Sequence, residues 1–140
     1  MKTIDKIYIN GEFVTPKGTE YFDLTSPTTN EKLGKVRLGN TEDTQNAIEA
    51  AKNAFKIFSK TSAKERIQYL KNIKTAVEKR KTDFVNIMVE EYGGTFQFAS
   101  VSYDYMLKGF DSAINLLNSY HFFKKMPESQ VQIPPMGVVG

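Results

Sequence analysis

Cysteine is absent from all 140 residues. No disulfide, no thiolate metal site and no cysteine nucleophile can be built from them. Histidine occurs once, at His121, which excludes triads or metal clusters that draw on several imidazoles. No uninterrupted apolar run approaches the roughly 20 residues of a membrane-spanning helix. Met1–Asn10 lacks the apolar h-region and small-residue cleavage site of a secretory signal. A cytoplasmic protein with no membrane partner is the resulting expectation. Charge of one sign is also scarce, with 19 Lys and Arg against 16 Asp and Glu and a net charge of +3. So small an excess does not imply a polyanionic partner, and no nucleic acid is expected.

What is present suits a globular chain. Hydrophobic residues make up 40% and charged residues 25%, unlike the apolar-poor profile of disordered sequences. The length matches one domain or part of one. From Ile7 to Val14 two short β-prone runs flank Asn10-Gly11, whose tolerance of positive φ predicts a type I′ hairpin. A second turn is expected at Thr15–Gly18, a strand over Tyr21–Thr25, a loop over Ser26–Glu31 and another strand over Leu33–Leu38. Residues 1–40 therefore read as an antiparallel β section.

At Thr41 the period changes. Ala47, Ile48, Ala51, Ala54, Phe55 and Phe58 recur on one helical face, with Thr41 as the expected cap and Glu42 and Asp43 complementing the helix dipole. Ser62–Glu65 matches a capping box, and Ile67, Leu70, Ile73 and Val77 continue through Phe84 and Met88 towards a stop at Gly93-Gly94. Lys81–Asp83 is a candidate break. A further helix is expected over about Ser100–Tyr120, burying Tyr103, Met106, Leu107, Phe110, Ala113, Ile114 and Leu117. Helical structure is thus assigned to 41–125. Val131–Ile133 and Gly137–Gly140 are β-prone. The fold class is α+β, an antiparallel β section followed by three or four amphipathic helices.

Few residues offer chemistry. His121 receives no role. Glu90 and Glu91 form a carboxylate pair, but neighbouring helical side chains diverge, which favours a solvated helix end. Lys60–Lys81 holds eight Lys or Arg against Glu65 and Glu78. A nucleic-acid surface or a solvated helix face would both produce that run. Arg66 and Arg80 fall in the apolar sector of the second helix, where each needs a carboxylate or carbonyl partner. Neither Gly93-Gly94 nor Gly137–Gly140 fits a phosphate-binding glycine motif. Tyr103, Tyr105, Met106 and Phe110 could line a hydrophobic tunnel, although their spacing favours a core face.

The order of segments carries more information than any single residue. Tyr8–Val14, then Ser26–Glu31 leading to Leu33-Gly34-Lys35-Val36, then Ala47–Phe55, Ser62–Leu70, Glu90–Thr95 and Pro135-Met136-Gly137-Val138-Val139-Gly140 follow one another. This arrangement resembles the amino-terminal part of NAD(P)-dependent aldehyde dehydrogenases. The resemblance implies that 1–40 supplies oligomerisation-type strands, that 131–140 begins a Rossmann-like sheet, and that the chain is an incomplete part of the α/β family fold. It also implies oxidation of an aldehyde to a carboxylic acid, by thiolate attack, hydride transfer to a nicotinamide and thioester hydrolysis.

The residues that perform those steps in the family have no matching positions among these 140. The expectation is therefore an N-terminal fragment, inactive alone, with no catalytic or cofactor-binding residues, no cofactor of its own and no metal. NAD or NADP, and the aldehyde, belong to the full-length context. Tyr105 and Met106 match a family region bordering the substrate entrance and are the candidate substrate-side residues. Homo-oligomerisation through the β-hairpin is a possible partnership. The alternative function is a stand-alone helical oligomerisation or interaction module.

Overall fold

In the computed structural model, which describes residues 1–140, the β section has five strands. They are β1 (Lys2–Ile4), β2 (Ile7–Ile9), β3 (Glu12–Val14), β4 (Tyr21–Thr25) and β5 (Lys32–Arg37). Asn10 and Gly11 adopt φ of 54° and 86°, the double positive φ of a type I′ turn. They join β2 to β3 with Ile7 opposite Val14. Sequence patterning misses β1, a three-residue strand with no buried position.

β1 also changes the sheet. The order is β1-β5-β4, with β4 antiparallel to β5 as expected but β1 parallel to it, so the section is mixed. Gly34 makes that parallel approach feasible, because a Cβ there would lie 2.4 Å from the Lys2 carbonyl oxygen. Gly34→Val is accordingly expected to release β1 while β4 and β5 stay paired. Hydrogen exchange would then speed up at least about tenfold at Lys2–Ile4 alone. Unchanged protection there would contradict this account.

The first helix, α1 (Thr41–Phe58), is capped by Asn40, one residue before the expected Thr41. Asn40 is extended, which lets its side chain accept from the Asp43 amide while Asp43 accepts from the Asn40 amide. Thr41 already lies inside the first turn, where a side chain no longer reaches the open amides. In α2 (Ala63–Glu78) the Ser62–Glu65 capping box is present as predicted. Hydrogen bonds from the Ser62 amide and hydroxyl hold the Glu65 carboxyl below its ordinary value.

The apolar series then breaks at Lys79-Arg80 and resumes as α3 (Lys81–Ile87), followed by a π-helical turn over Met88–Tyr92. Gly93, with φ of 77°, ends it. A Cβ on Gly93 would meet Pro27 at 2.7 Å, so this stop also seats the loop after β4. The last helix, α4 (Phe96–Ser119), starts before the expected Ser100 because Thr95 accepts from the Phe98 amide.

α4 packs on α2 and α3 to form the core. Val85, Ala99, Tyr103 and Ile114 are buried, and Met106, Leu107, Phe110, Ala113 and Leu117 are half-buried along the predicted face. Tyr103, 2% exposed, donates its hydroxyl to the Val77 carbonyl at 3.2 Å and packs on Phe84.

Helical structure ends at Ser119 instead of 125, since Tyr120 is extended. Phe123–Lys125 (β6) pairs antiparallel with Gln130–Gln132 (β7). Gly137–Gly140 forms no ladder within the chain; a strand exists only where a neighbour takes up its amides and carbonyls.

Candidate functional site

The stripe that places Ile73, Val77, Phe84 and Ile87 on one side of α2 and α3 builds an apolar groove of about 460 Å³ against α4. Met106 lines it, together with Ala76, Arg80 and Asp83. Tyr105 does not: one residue along a helix is a rotation of about 100°, and Tyr105 is 68% exposed with the Lys108 ammonium 5.3 Å from its ring. Of the two substrate-side candidates, Met106 therefore lines this groove and Tyr105 does not.

The groove's polar content is one rim ion pair, Arg80 Nε to Asp83 Oδ2 at 2.9 Å. Arg80 has the carboxylate partner expected for it, but its side chain is largely exposed instead of sunk among apolar residues, because the helix breaks just before it. Arg66 is half-buried at the α1–α2 corner. It donates to the Thr61 hydroxyl at 2.9 Å and the Ser59 carbonyl at 3.4 Å, with its guanidinium 5.7 Å from the Phe58 ring. Arg66→Ala is expected to cost about 1 kcal/mol through lost hydrogen bonds and stem packing. A urea midpoint equal to that of the unmodified chain would refute the partner role.

The remaining candidates are occupied by structural tasks. Lys2 Nζ sits 2.6 Å from Glu90 and 3.7 Å from Glu91, so both carboxylates turn to one ammonium and tie β1 to the π-helical turn. The hydrogen bond to Glu90 is the main cause that raises Lys2 above its ordinary pKa, against burial. In the basic run, Lys74 pairs with Asp111 at 2.6 Å and Lys81 with Asp104 at 3.2 Å. With Arg66 and Arg80, four of the eight basic groups are tied to neighbours. His121 is exposed and its Nδ1 donates to the Ser119 carbonyl at 2.8 Å. No group of three or more His, Cys, Asp or Glu is placed to hold a metal, and no helix is long and apolar enough to cross a membrane.

A dinucleotide cradle needs free amides at a strand-to-helix turn. β5–Gly39–α1 is such a turn, yet its surroundings are already satisfied from within. Asp43 accepts from the Lys17, Gly18 and Asn40 amides at 2.9, 3.1 and 2.9 Å. Gly93-Gly94 follows a π-helical turn and packs on Pro27 and Phe98. The Asp43 clamp is the best-formed polar centre and sequence reasoning assigned it only a dipole role; the Asn40-x-x-Asp43 spacing was the available signal.

Comparison with known proteins gives a consistent result. The model of the aldehyde dehydrogenase family matches residues 13–140. The Staphylococcus aureus (strain bovine RF122 / ET3-1) protein named "Putative aldehyde dehydrogenase" is 36% identical over 141 residues, which cover 100% of this chain and 30% of the relative. Among solved structures, an aldehyde dehydrogenase from Bartonella henselae superposes with a TM-score of 0.86 at 28% identity, over 91% of this chain and 27% of that one. A mutant of aldehyde dehydrogenase C from Pseudomonas syringae, solved with NAD+ and octanal, gives 0.83 at 26% identity, over 87% and 25%. The chain spans about 30% of the length of the curated relatives it matches, and its fold is the corresponding part of theirs.

Proposed function

The chain belongs to the aldehyde dehydrogenase family, and on that premise we propose that it supplies the amino-terminal portion of an NAD(P)-dependent enzyme that oxidises an aldehyde to a carboxylic acid. The supporting observation is the family match over residues 13–140 together with its 30% coverage of the curated relatives. Thiolate chemistry needs a cysteine, and these residues include none. The nucleophile and the cofactor site must then come from the complementary part of the fold. When bound there, the nicotinamide would accept the hydride.

What this chain's own residues contribute is a scaffold. α2, α3 and α4 form a packed wall, Asp43 joins the β section to α1, and Tyr105 and Met106 are the substrate-side residues carried by the proposal. Purified alone, the 140 residues are expected to give no aldehyde-dependent reduction of NAD+ or NADP+. Joined in frame to the remaining 70% of the Staphylococcus aureus relative, they are expected to support turnover. Activity of the isolated chain, or a folded fusion with none, would refute the proposal. In the fusion, Tyr105→Ala alters only a solvent-facing side chain and is expected to raise KM several-fold with little change in kcat.

The alternative is a stand-alone oligomerisation module, and the β2–β3 hairpin is the feature that supports it. Tyr8 and Phe13, 63% and 73% exposed, meet edge-to-face at 5.1 Å on its outer side. Sedimentation equilibrium separates the two: a homo-oligomer dispersed by Tyr8→Ser with Phe13→Ser would favour the module.

A further inference from the structure

Of the nine asparagines in the chain, Asn10 alone precedes a glycine. The pair forms the exposed tip of the β2–β3 hairpin, and a Cβ placed on Gly11 would meet nothing within 4 Å. No acceptor in the chain takes up the Gly11 amide, because the ladder closes at the Ile9–Glu12 pair on either side of the turn. An unshielded amide nitrogen therefore follows a carboxamide, with no side chain to hinder its approach.

The other asparagines supply the contrast. Asn30 shares the left-handed conformation, with φ of 59°, but Glu31 follows it and the Glu31 amide donates to Thr29 Oγ1 at 3.4 Å. Asn40, Asn53 and Asn72 accept hydrogen bonds from Asp43, Lys56 and Gln68 through their side-chain oxygens. Asn46, Asn86, Asn115 and Asn118 lie within helices, whose ladder engages the following amide.

We propose that Asn10 is a modification site at which the chain deamidates without an enzyme, and that the isoaspartate product releases the β2–β3 hairpin. The Gly11 nitrogen, having lost its proton to solvent base, attacks Asn10 Cγ. The bond from Cγ to the side-chain nitrogen breaks, ammonia leaves, and a cyclic imide is formed. Water then opens the ring. Attack at Cγ yields aspartate and attack at the main-chain carbonyl yields isoaspartate, with no net oxidation or reduction in either branch. Both products lower the net charge of +3 by one. Only isoaspartate routes the backbone through Cγ, an extra chain atom that a two-residue type I′ loop cannot hold in register.

Opening of the turn sets the rate. A type I′ turn fixes the first central ψ at about +30°, which points the Gly11 nitrogen away from Cβ, so ring closure waits for the hairpin to open. β2 and β3 pair only with each other, three residues apiece, and a lone two-stranded ribbon is marginal. Its latches are the Tyr8–Phe13 edge contact at 5.1 Å and, at the base, Lys6 Nζ donating to Thr15 Oγ1 at 2.6 Å.

The test is ageing of the purified 140-residue chain in mildly alkaline buffer made with heavy-oxygen water, followed by peptide mapping that separates aspartate from isoaspartate. Asn10 is expected to convert at least about tenfold faster than Asn30 or any helical asparagine. Heavy oxygen should enter the new carboxyl group, at a rate that rises in proportion to hydroxide. Tyr8→Ser with Phe13→Ser removes the aromatic latch and should speed conversion at Asn10 alone by about threefold or more. The aged isoaspartate fraction should lose hydrogen-exchange protection over Ile7–Ile9 and Glu12–Val14, whereas freshly prepared Asn10→Asp should keep it. Conversion at Asn10 no faster than at Asn30, a rate unmoved by the loss of the latch, or isoaspartate chains whose hairpin stays protected would each overturn the proposal.

Discussion

Gly18→Ala is expected to detach the β section from α1 and to lower the stability of the chain by about 3 kcal/mol or more. The cause is a backbone-to-backbone approach. A Cβ at Gly18 would lie 2.2 Å from the Leu38 carbonyl oxygen, 3.0 Å from the Gly39 carbonyl carbon and 3.2 Å from the Asn40 nitrogen. None of these atoms belongs to a side chain that could swing aside. Moving them disturbs the Gly18 amide, which donates to Asp43 at 3.1 Å, and the Gly18 carbonyl, which accepts from Arg37 Nε at 2.7 Å. Fully buried Pro16 lies two residues before it. One methyl group therefore acts on the turn, the end of β5 and the cap of α1 together. Urea unfolding checks this, and a change within about 0.5 kcal/mol, the range of a neutral surface substitution, would show that the contact relaxes freely.

Asp43→Asn should have the second-largest effect, with a dependence on pH that identifies its cause. The Asp43 carboxylate accepts from the Lys17 amide through both oxygens at 2.9 and 3.0 Å, and from Gly18 and Asn40 at 3.1 and 2.9 Å. An amide side chain has only one acceptor oxygen and would turn an NH2 donor towards other donors. The Lys17 hydrogen bond is the main cause that holds the Asp43 carboxyl below the ordinary aspartate range, against the opposing effect of burial.

A carboxyl depressed in the folded state contributes stability that is fully present above its unfolded pKa, about 3.9. That contribution is lost as pH falls through the lower folded value. The expected result is a midpoint of thermal unfolding lower by roughly 5 °C or more at neutral pH, with the two proteins converging in acid. Glu65, also depressed, remains in both and leaves a shallower acid dependence. Parallel pH profiles would mean that the charge of Asp43 is immaterial.

Local signals were legible wherever a short segment satisfies itself. Asn10-Gly11 can adopt two successive positive φ angles without help, so the hairpin was readable. Ser62 and Glu65 satisfy one another within one turn, so the start of α2 was readable too. The α4 face was legible because helical spacing alone brings Tyr103, Met106, Phe110 and Ile114 to one side. β1 was not, since a three-residue exposed strand carries no alternation and exists only because β5 offers it an edge at Gly34. β6 was likewise assigned to the helical region, because Phe123-Lys124-Lys125 becomes a strand only through pairing with β7. Tyr105 and Met106 were named together from the sequence, and the rotation between neighbouring helical residues sends them to different surroundings.

By itself the sequence determined the α+β class, the family and the absence of a thiolate nucleophile, because composition, capping patterns and segment order are properties of the chain alone. Only the tertiary structure decided that Asp43 is the clamp between β section and helices, that Glu90 and Glu91 share Lys2, and that an apolar groove lies open beside α2 and α3. Those features depend on residues 26 or 88 positions apart meeting in space, or on a face finding no partner, and neither is written in any local run of residues.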